Sequence, residues 1–370
     1  MRVNLKYYCG CLVLIIWIFC FPTNANAQTF QWAAGSGGIL EDIGLGMAVD
    51  YNGNSYFTGV FEGTADFDPG PGSFYMSVVA PYTHVFIVKL DSSGNFLWAK
   101  QLDGNMSGKG ASIAVDSSAN AYITGYFIGS GDFNPGAGVF NLVSNGTSNG
   151  DIFILKLDTN GDFIWVKQIG STEDDQGQSI ALDLNQNIYV TGYFNNSADF
   201  NPGTGVFFLT SAGNSDIFIL KLDTDGNFIF ALKFGGISTD SGNEIKISAS
   251  GNVYTTGHFA SVADFDPGPG IFNLTCGGLY DAFILKINAD GNFVWAKGLG
   301  GISYDWGYSL DIDSQENVYT VGEFRDSVDV DPGPGVSNIV PVGTGKHIFS
   351  SKLDSAGNLF WKGILGSTFL

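Results

Sequence analysis

The sequence predicts an all-β fold assembled from one repeated unit, and three observations predict it. Gly supplies 52 of 370 residues, Phe 31 and Tyr 15, while only 14% are charged. Turn-forming glycine between short aromatic and β-branched runs is the composition of strands, and no run of helix formers interrupts it. Most telling is a recurrence: QWAAG, FLWAKQ, FIWVKQ, FIFALK, FVWAKG and LFWKGI place an aromatic at Trp32, Trp98, Trp165, Phe230, Trp295 and Trp361. The intervals are 66, 67, 65, 65 and 66 residues.

A fixed period of that length means a repeat architecture. Each unit opens with a loop ending in D-x-G, then a short strand such as SIAVD (112–116) or SIALD (179–183). A turn and a strand such as AYITGYF (121–127) or IYVTGYF (188–194) follow. Next come D-F-[DN]-P-G-x-G, a short apolar segment such as GVFNL (138–142), and DIFILKLD (151–158 and 216–223). A D-x-x-G-[ND] turn then leads into the W-A-K strand. Four main strands per unit at constant pitch predict a β-propeller of five blades, each of about 66 residues with an inserted short hairpin. A β-helix, the other repeat candidate, has far shorter coils. There are five copies of the first three strands but six of the W-A-K strand. Residues 29–35 and 358–365 therefore compete for the outer position of the last blade if the ring closes on itself. Five closed blades is the expectation, and a six- or seven-bladed parent the alternative.

The segment SIAVDSSANAYITGYF, followed later by DIFILKLDTNGDFIWVKQIG, resembles the SBBP-type β-propeller repeat of secreted bacterial proteins. The resemblance runs over essentially the whole chain after residue 27. It implies the fold and imports no shared activity, because the repeat is defined by structure-forming positions. Longer members often end in a C-terminal sorting domain, which the run ILGSTFL does not resemble.

Arg2 and Lys6, an apolar run from Tyr7 to Phe21, Pro22 and Ala25-Asn26-Ala27 have the pattern of a secretory signal peptide. The expected organisation is a signal peptide at 1–27, cleaved near Ala27, and one propeller domain of five SBBP-like repeats at 28–370. The mature chain would have no transmembrane segment, and its destination would be the extracellular space or outer cell surface. Cys9, Cys11 and Cys20 leave with the peptide, so Cys276 has no internal disulfide partner. Loss of Arg2 and Lys6 reduces 16 basic residues to 14 against 36 acidic, a net charge of −22. Such a surface argues against nucleic acid or anionic membrane as partner and suits divalent cations or a neutral or basic target.

Repeat columns supply the candidate sites. The five ADFDPGPG-like stretches place two acidic side chains on one face in three copies: Asp66 with Asp68, Asp264 with Asp266, and Asp329 with Asp331. Asn134 and Asn201 replace the second aspartate in the other two. The three doubly acidic copies are candidate calcium sites, the only cofactor expected. The competing reading is a type II turn with Pro69 at the second position and Gly70 at positive φ. Lys89, Lys156, Lys221, Lys286 and Lys352 form a column that reads as a basic ring or as packed, paired lysines. His84, Asp151, Asp216, Asp281 and His347 form another, in which closure would bring the two histidines together. D-x-G loops give Asp42, Asp175, Asp240 and Asp305, with Lys109 taken as the exception.

No nucleophile elbow, H-E-x-x-H or phosphate-cradling loop is present. What breaks the repeat is SYDWGYS in the fifth unit, which groups Tyr304, Trp306 and Tyr308. Exposed aromatics stack on sugar faces or anchor proteins. The reading is an exported, non-catalytic propeller that binds glycan, protein or cell-surface material. A structural or surface-layer repeat protein and a polysaccharide-acting enzyme using the central channel are the alternatives.

Overall fold

The computed structural model describes residues 32–341, 343 and 345–365. The segment read as a signal peptide, with Cys9, Cys11 and Cys20, lies outside these residues, as does the start of the first W-A-K-like segment. Among the described residues there are strands and turns and no α-helix.

The strands form five four-stranded antiparallel sheets, each a meander in chain order. The first holds Asp42–Val49, Ser55–Phe61, His84–Leu90 and Phe96–Gln101; the second Asp103–Val115, Ala121–Asp132, Asp151–Leu157 and Phe163–Ile169. The third holds Gln176–Leu182, Ile188–Asp199, Phe208–Leu222 and Phe228–Gly236. Ser241–Ile247, Val253–Phe259, Asp281–Ile287 and Phe293–Gly301 make the fourth, and Asp305–Ile312, Val318–Phe324, His347–Leu353 and Leu359–Leu365 the fifth. The tight hairpins follow from sequence. Gly94, Gly161, Gly226, Gly291 and Gly357 of D-x-x-G-[ND] all have φ between 75° and 85°, a region that costs only glycine nothing.

The hydrophobic core lies between sheets. Tyr56, Val85 and Ile87 of the first sheet cluster with Ile113, Ile123 and Phe153 of the second. Tyr122, Ile152 and Ile154 of the second cluster with Ile180, Val190 and Phe218 of the third, and the pattern continues to the fifth. Each third strand of the inner sheets is buried on both faces, which explains why IFILKL reads as a continuous apolar run. A fully buried Phe there stabilises by about 2–3 kcal/mol. The first strands of all five sheets line one cavity of about 270 Å³, so they surround a common axis.

The inserted hairpin is an arm that reaches the neighbouring sheet. Val262–Asp264 of the fourth unit pairs with the tail of the third sheet's outer strand, Gly235 opposite Asp264. Val328–Asp329 pairs likewise with the fourth sheet's tail, Gly300 opposite Asp329. The phenylalanine of D-F-[DN] anchors the arm: Phe133 is buried against Phe127 and Phe153, at ring separations of 4.9 and 5.3 Å. Phe67, Phe200 and Phe265 repeat this contact.

Two expectations about the fold need correction. Gly70 and its equivalents are not at positive φ, so D-P-G is not a type II turn. The side chain of Asp68 closes it instead, as Asp266 and Asp331 close the equivalent turns of the fourth and fifth units. And the closed five-bladed ring is not what the faces report. Ile113, Ile180, Ile245 and Leu310 are at most 5% exposed at successive junctions, yet the equivalent Met47 of the first sheet is 64% exposed. On the fifth sheet Val321 and Ile348 are 39% and 45% exposed. The first and fifth sheets do not cover each other as their neighbours do.

Candidate functional site

The loop before the fifth sheet gathers more aromatic side chains than its counterparts. Trp306 opens the sheet's first strand opposite Glu323, and Tyr308 lies two residues on, on the same side. Tyr304 precedes them and bridges to Tyr280 of the fourth unit, the two rings stacked at 5.7 Å. Trp306 is half-buried. It stacks on His258 at 5.1 Å and meets Tyr280, Tyr304 and Tyr308 edge-on. Burial alone pushes the His258 imidazole down to about 4, so it is neutral at pH 7. The Arg325 guanidinium lies over Tyr304 at 5.1 Å.

Of the three residues that the sequence singled out, Tyr308 is the exposed one, at 45%. Its hydroxyl donates to Glu323 Oε2 at 3.2 Å, and Lys346 Nζ donates to the same oxygen at 2.9 Å. Burial, reinforced by the nearby Glu323 carboxylate, pushes the Tyr308 phenol up to about 12, so it acts as a donor. Tyr308, Val321, Glu323, Lys346 and Ile348 line a hollow of about 380 Å³. A neutral aromatic face beside a carboxylate and an ammonium suits a polyhydroxylated or peptidic ligand. Glu323, Lys346, Tyr280 and Arg325 were missed by sequence reasoning, although His258 and Glu323 stand out in a column otherwise holding Val60, Tyr126 and Tyr193.

The acidic pairs of the arms serve their own turns. Asp66 Oδ1 accepts from the amides of Asp68 and Phe74, at 3.1 and 2.8 Å, and Asp68 Oδ1 from Gly70 at 2.8 Å. In the fourth unit Asp264 Oδ1 accepts from Asp266 and Phe272, at 3.0 and 2.8 Å, and Asp266 Oδ1 from Gly268 at 2.8 Å. In the fifth, Asp329 Oδ1 accepts from Asp331 and Ser337, at 3.0 and 2.8 Å, and Asp331 Oδ1 from Gly333 at 2.9 Å. Asp132 and Asn134 make the same set, with Asn134 Oδ1 accepting from Gly136 at 2.9 Å. An amide that does the same work as a carboxylate shows that the geometry is a turn's.

The residues expected as metal ligands, Asp66, Asp68, Asp264, Asp266, Asp329 and Asp331, are thus each engaged by amides of their own turn. Asp266 and Asp331, like Asp68, each point an oxygen back at a glycine amide two residues on. Each copy brings two carboxylates together, whereas calcium takes six to eight oxygens. No cluster of three metal-ligating side chains occurs among the described residues. The second glycine is needed for close approach. A Cβ on Gly72, Gly270 or Gly335 would strike the carboxylate of Asp68, Asp266 or Asp331, as one on Gly138 would strike the Asn134 amide.

The lysine column staples one sheet to the next. Lys89 and Lys156 each donate at 3.0 Å to a hairpin carbonyl of the following sheet, Thr159 and Thr224. Lys221 and Lys286 reach Ala289 and Ser355 in the same way. Each ammonium also lies 4.7–5.0 Å over a buried tyrosine ring, Tyr56, Tyr122, Tyr189 and Tyr254. It is not an exposed basic ring.

The aspartate columns meet at the junctions. Asp240 Oδ1 and Oδ2 cap the amides of Ala260 and Gly236, while Asp216 of the preceding sheet lies alongside with a buried, unpartnered Oδ1. Burial first, then the Asp216 charge, pushes Asp240 up to about 6. Asp175 beside Asp151 also reaches about 6, and Asp305 beside Asp281 about 7. At the first junction the residue in register with Asp42 and Asp305 is Gly108, not Lys109, since Gly108 opposes Phe127 as Asp305 opposes Phe324. His84 there donates to the Gly104 carbonyl at 3.2 Å.

In the axial cavity the lining carboxylate is Glu244, held by Lys246 at 3.1 Å.

Comparison with known proteins agrees with the repeat geometry. The β-propeller repeat SBBP matches residues 164–201, which run from the third unit's incoming W-V-K strand to its arm. An uncharacterized WD repeat-containing protein of Acanthamoeba polyphaga mimivirus is 25% identical over 393 aligned positions, 90% of this chain and 28% of that protein. The regulatory protein FlaEY of Caulobacter vibrioides is 28% identical over 170, 45% of this chain and 17% of that protein. The chain thus spans under a third of the length of either relative. A crystal structure of a protein of unknown function from Bacteroides caccae aligns with a TM-score of 0.37 and 9% identity, covering 84% of this chain and 93% of that one. Residues 164–201 carry an SBBP-type β-propeller repeat, and the same four-stranded sheet recurs on both sides of them.

Proposed function

We propose that the chain is an exported, non-catalytic propeller of five blades that binds glycan, protein or cell-surface material through the loops of its fifth blade. One observation carries this reading. The repeat columns are spent on turns and junctions, and the place where unlike side chains converge on solvent is Tyr308 with Glu323 and Lys346. The charged, apolar and small-residue pattern of residues 1–27 supports export, and the excess of acidic residues favours a neutral or basic ligand.

The test is capture by the immobilised mature protein from glycan arrays and cell-surface extracts, with and without calcium. Tyr308→Ala is expected to lower capture at least about tenfold, the loss typical of an interface anchor. Unchanged capture of every ligand by Tyr308→Ala would refute the assignment. A second reading, a structural or surface-layer component, is favoured by the near-identical staples at successive junctions.

A further inference from the structure

Between the first and second sheets the repeat leaves a hollow of about 220 Å³. Strand register shows why it opens there. Val60, Tyr126, Tyr193 and His258 are equivalent positions, paired opposite Ile43, Lys109, Gln176 and Ser241. At the second junction Tyr126 lies close to Asp174, whose carboxylate accepts from the Tyr193 hydroxyl at 2.6 Å and the Gln176 amide at 3.0 Å. At the fourth, His258 stacks on Trp306 at 5.1 Å. At the first junction the equivalent place holds only Val60, with Ser107 opposite, and these smaller side chains leave a space.

Five polar side chains line that space: Glu41, Glu62, Thr83, Ser107 and Lys109. None of the five has a side-chain hydrogen bond or ion pair among the described residues. Their backbones are fixed all the same. The Glu62 amide donates to the Glu41 carbonyl at 3.1 Å, and the Gly108 amide to the Thr83 carbonyl at 2.8 Å. Glu62 and Lys109 are half-buried. Lys89, Lys156, Lys221 and Lys286, by contrast, all reach a carbonyl of the next sheet. Two carboxylates and an ammonium that share a hollow without pairing present charges for a ligand to complement.

We propose that this hollow binds a basic α-amino acid of the size and charge of lysine. Its two ammonium groups match Glu41 and Glu62, and its carboxylate matches Lys109. Its methylene chain lies along the apolar wall of Val60 and Ile128. The volume agrees, since at about 30 Å³ per water it gives room for a ligand of about seven to ten non-hydrogen atoms. A neutral amino acid leaves one carboxylate without a partner, and an acidic one adds a like charge. The site does not depend on Tyr308, which belongs to the fifth sheet.

Titration calorimetry of the mature chain with lysine tests this. Lysine is expected to bind with a dissociation constant below about 1 mM, and glutamate not to bind. Cadaverine, which lacks the carboxylate, and Nα-acetyl-lysine, which lacks the α-ammonium, are each expected to bind at least about tenfold more weakly. Glu62→Gln and Lys109→Ala should weaken lysine at least about tenfold while moving the melting temperature by less than about 2 °C. Val60→Tyr brings in the side chain that the second and third sheets carry at this place, so it should fill the hollow and abolish binding in a folded chain. Tyr308→Ala should leave lysine binding unchanged, which separates this site from the fifth-sheet surface. No heat from the folded chain with lysine at about 10 mM overturns the proposal, as does binding that all three variants of the hollow leave unchanged. The unsubstituted chain decides the matter even if a variant fails to fold: cadaverine or glutamate binding as tightly as lysine overturns it too.

Discussion

At the scale of single residues, the arms show why a carboxylate need not imply an ion. One oxygen of Asp66 caps two amides, those of Asp68 and Phe74; the carboxyl is held below the usual range chiefly by the Phe74 amide. Asp68, Asp266 and Asp331 each cap one glycine amide, a task that Asn134 and Asn201 perform equally well. Asp68→Asn, Asp266→Asn or Asp331→Asn is therefore expected to change stability by less than about 0.5 kcal/mol. Asp66→Ala strips two amides of their acceptor and should lower the melting temperature, whereas the asparagine variants should not. Calorimetry with and without chelator checks both, and the melting temperature is expected not to move with chelator. A calcium-dependent melt lost in these asparagine variants would restore the cation reading. The pairing of Asp66 with Asp68 was legible in the sequence; which atoms they point at was not. The proline–glycine run suggested positive φ, whereas the real demand is room for the Asp68 carboxylate beside Gly72.

At the scale of strands and sheets, stability depends on how one sheet seats on the next, and the aspartate pairs make that seating sensitive to pH. A carboxyl whose pKa is raised by folding binds its proton more tightly in the folded chain. Its stabilisation is complete below the ordinary value near pH 4 and is lost as pH rises through the folded value. For Asp175 and Asp240 that loss runs from about pH 4 up to about 6, and for Asp305 up to about 7. Acting oppositely, hydrogen bonds from Asn317 hold Asp313 down to about 2, so its contribution is lost only in strong acid. Glu316 is pulled down too: burial opposes ionisation, but donors on Ser250, Lys286 and Tyr254 outweigh it. The melting temperature should thus peak near about pH 4, fall between about pH 4 and 7, and level off towards pH 8. Asp216→Asn should raise stability at pH 8 by about 1 kcal/mol, because an amide N–H replaces the unpartnered Oδ1 beside Asp240. A flat profile in the wild type between pH 5 and 8 would contradict this. Strand order, hairpin glycines and arm were readable from the period of 65–67 residues. The junctions were not, because they join residues a whole repeat apart. Lys109 was set one place off the aspartate column, since Gly110 is the counterpart of Gly177 and Gly307 and the column residue two before it is Gly108.

At the scale of the whole molecule, the five first strands share one axial cavity, yet the outermost two sheets leave apolar faces bare. Met47 at one end, and Val321 and Ile348 at the other, occupy positions that the repeat elsewhere buries. The sequence carried a trace of this in its count of six W-A-K strands against five of the other three. It could not say whether the extra strand replaces Leu359–Leu365 or stands alone, since both segments have the same pattern. Leu359–Leu365 pairs with His347–Leu353, so the outer place of the fifth sheet is filled by that segment. Tyr308, Glu323 and Lys346, the proposed binding surface, line the same hollow as Val321 and Ile348.

The most direct measurement is native-state thiol labelling of single cysteines placed at Met47, Ile113, Ile180, Ile245 and Leu310, in a Cys276→Ser background. These five positions are equivalent in the repeat and differ only in what lies against them. The account predicts that the Met47 site reacts within about tenfold of an unfolded thiol, while the other four are slowed by at least about 1,000-fold. Equal protection at all five would contradict it and show a closed ring of five blades.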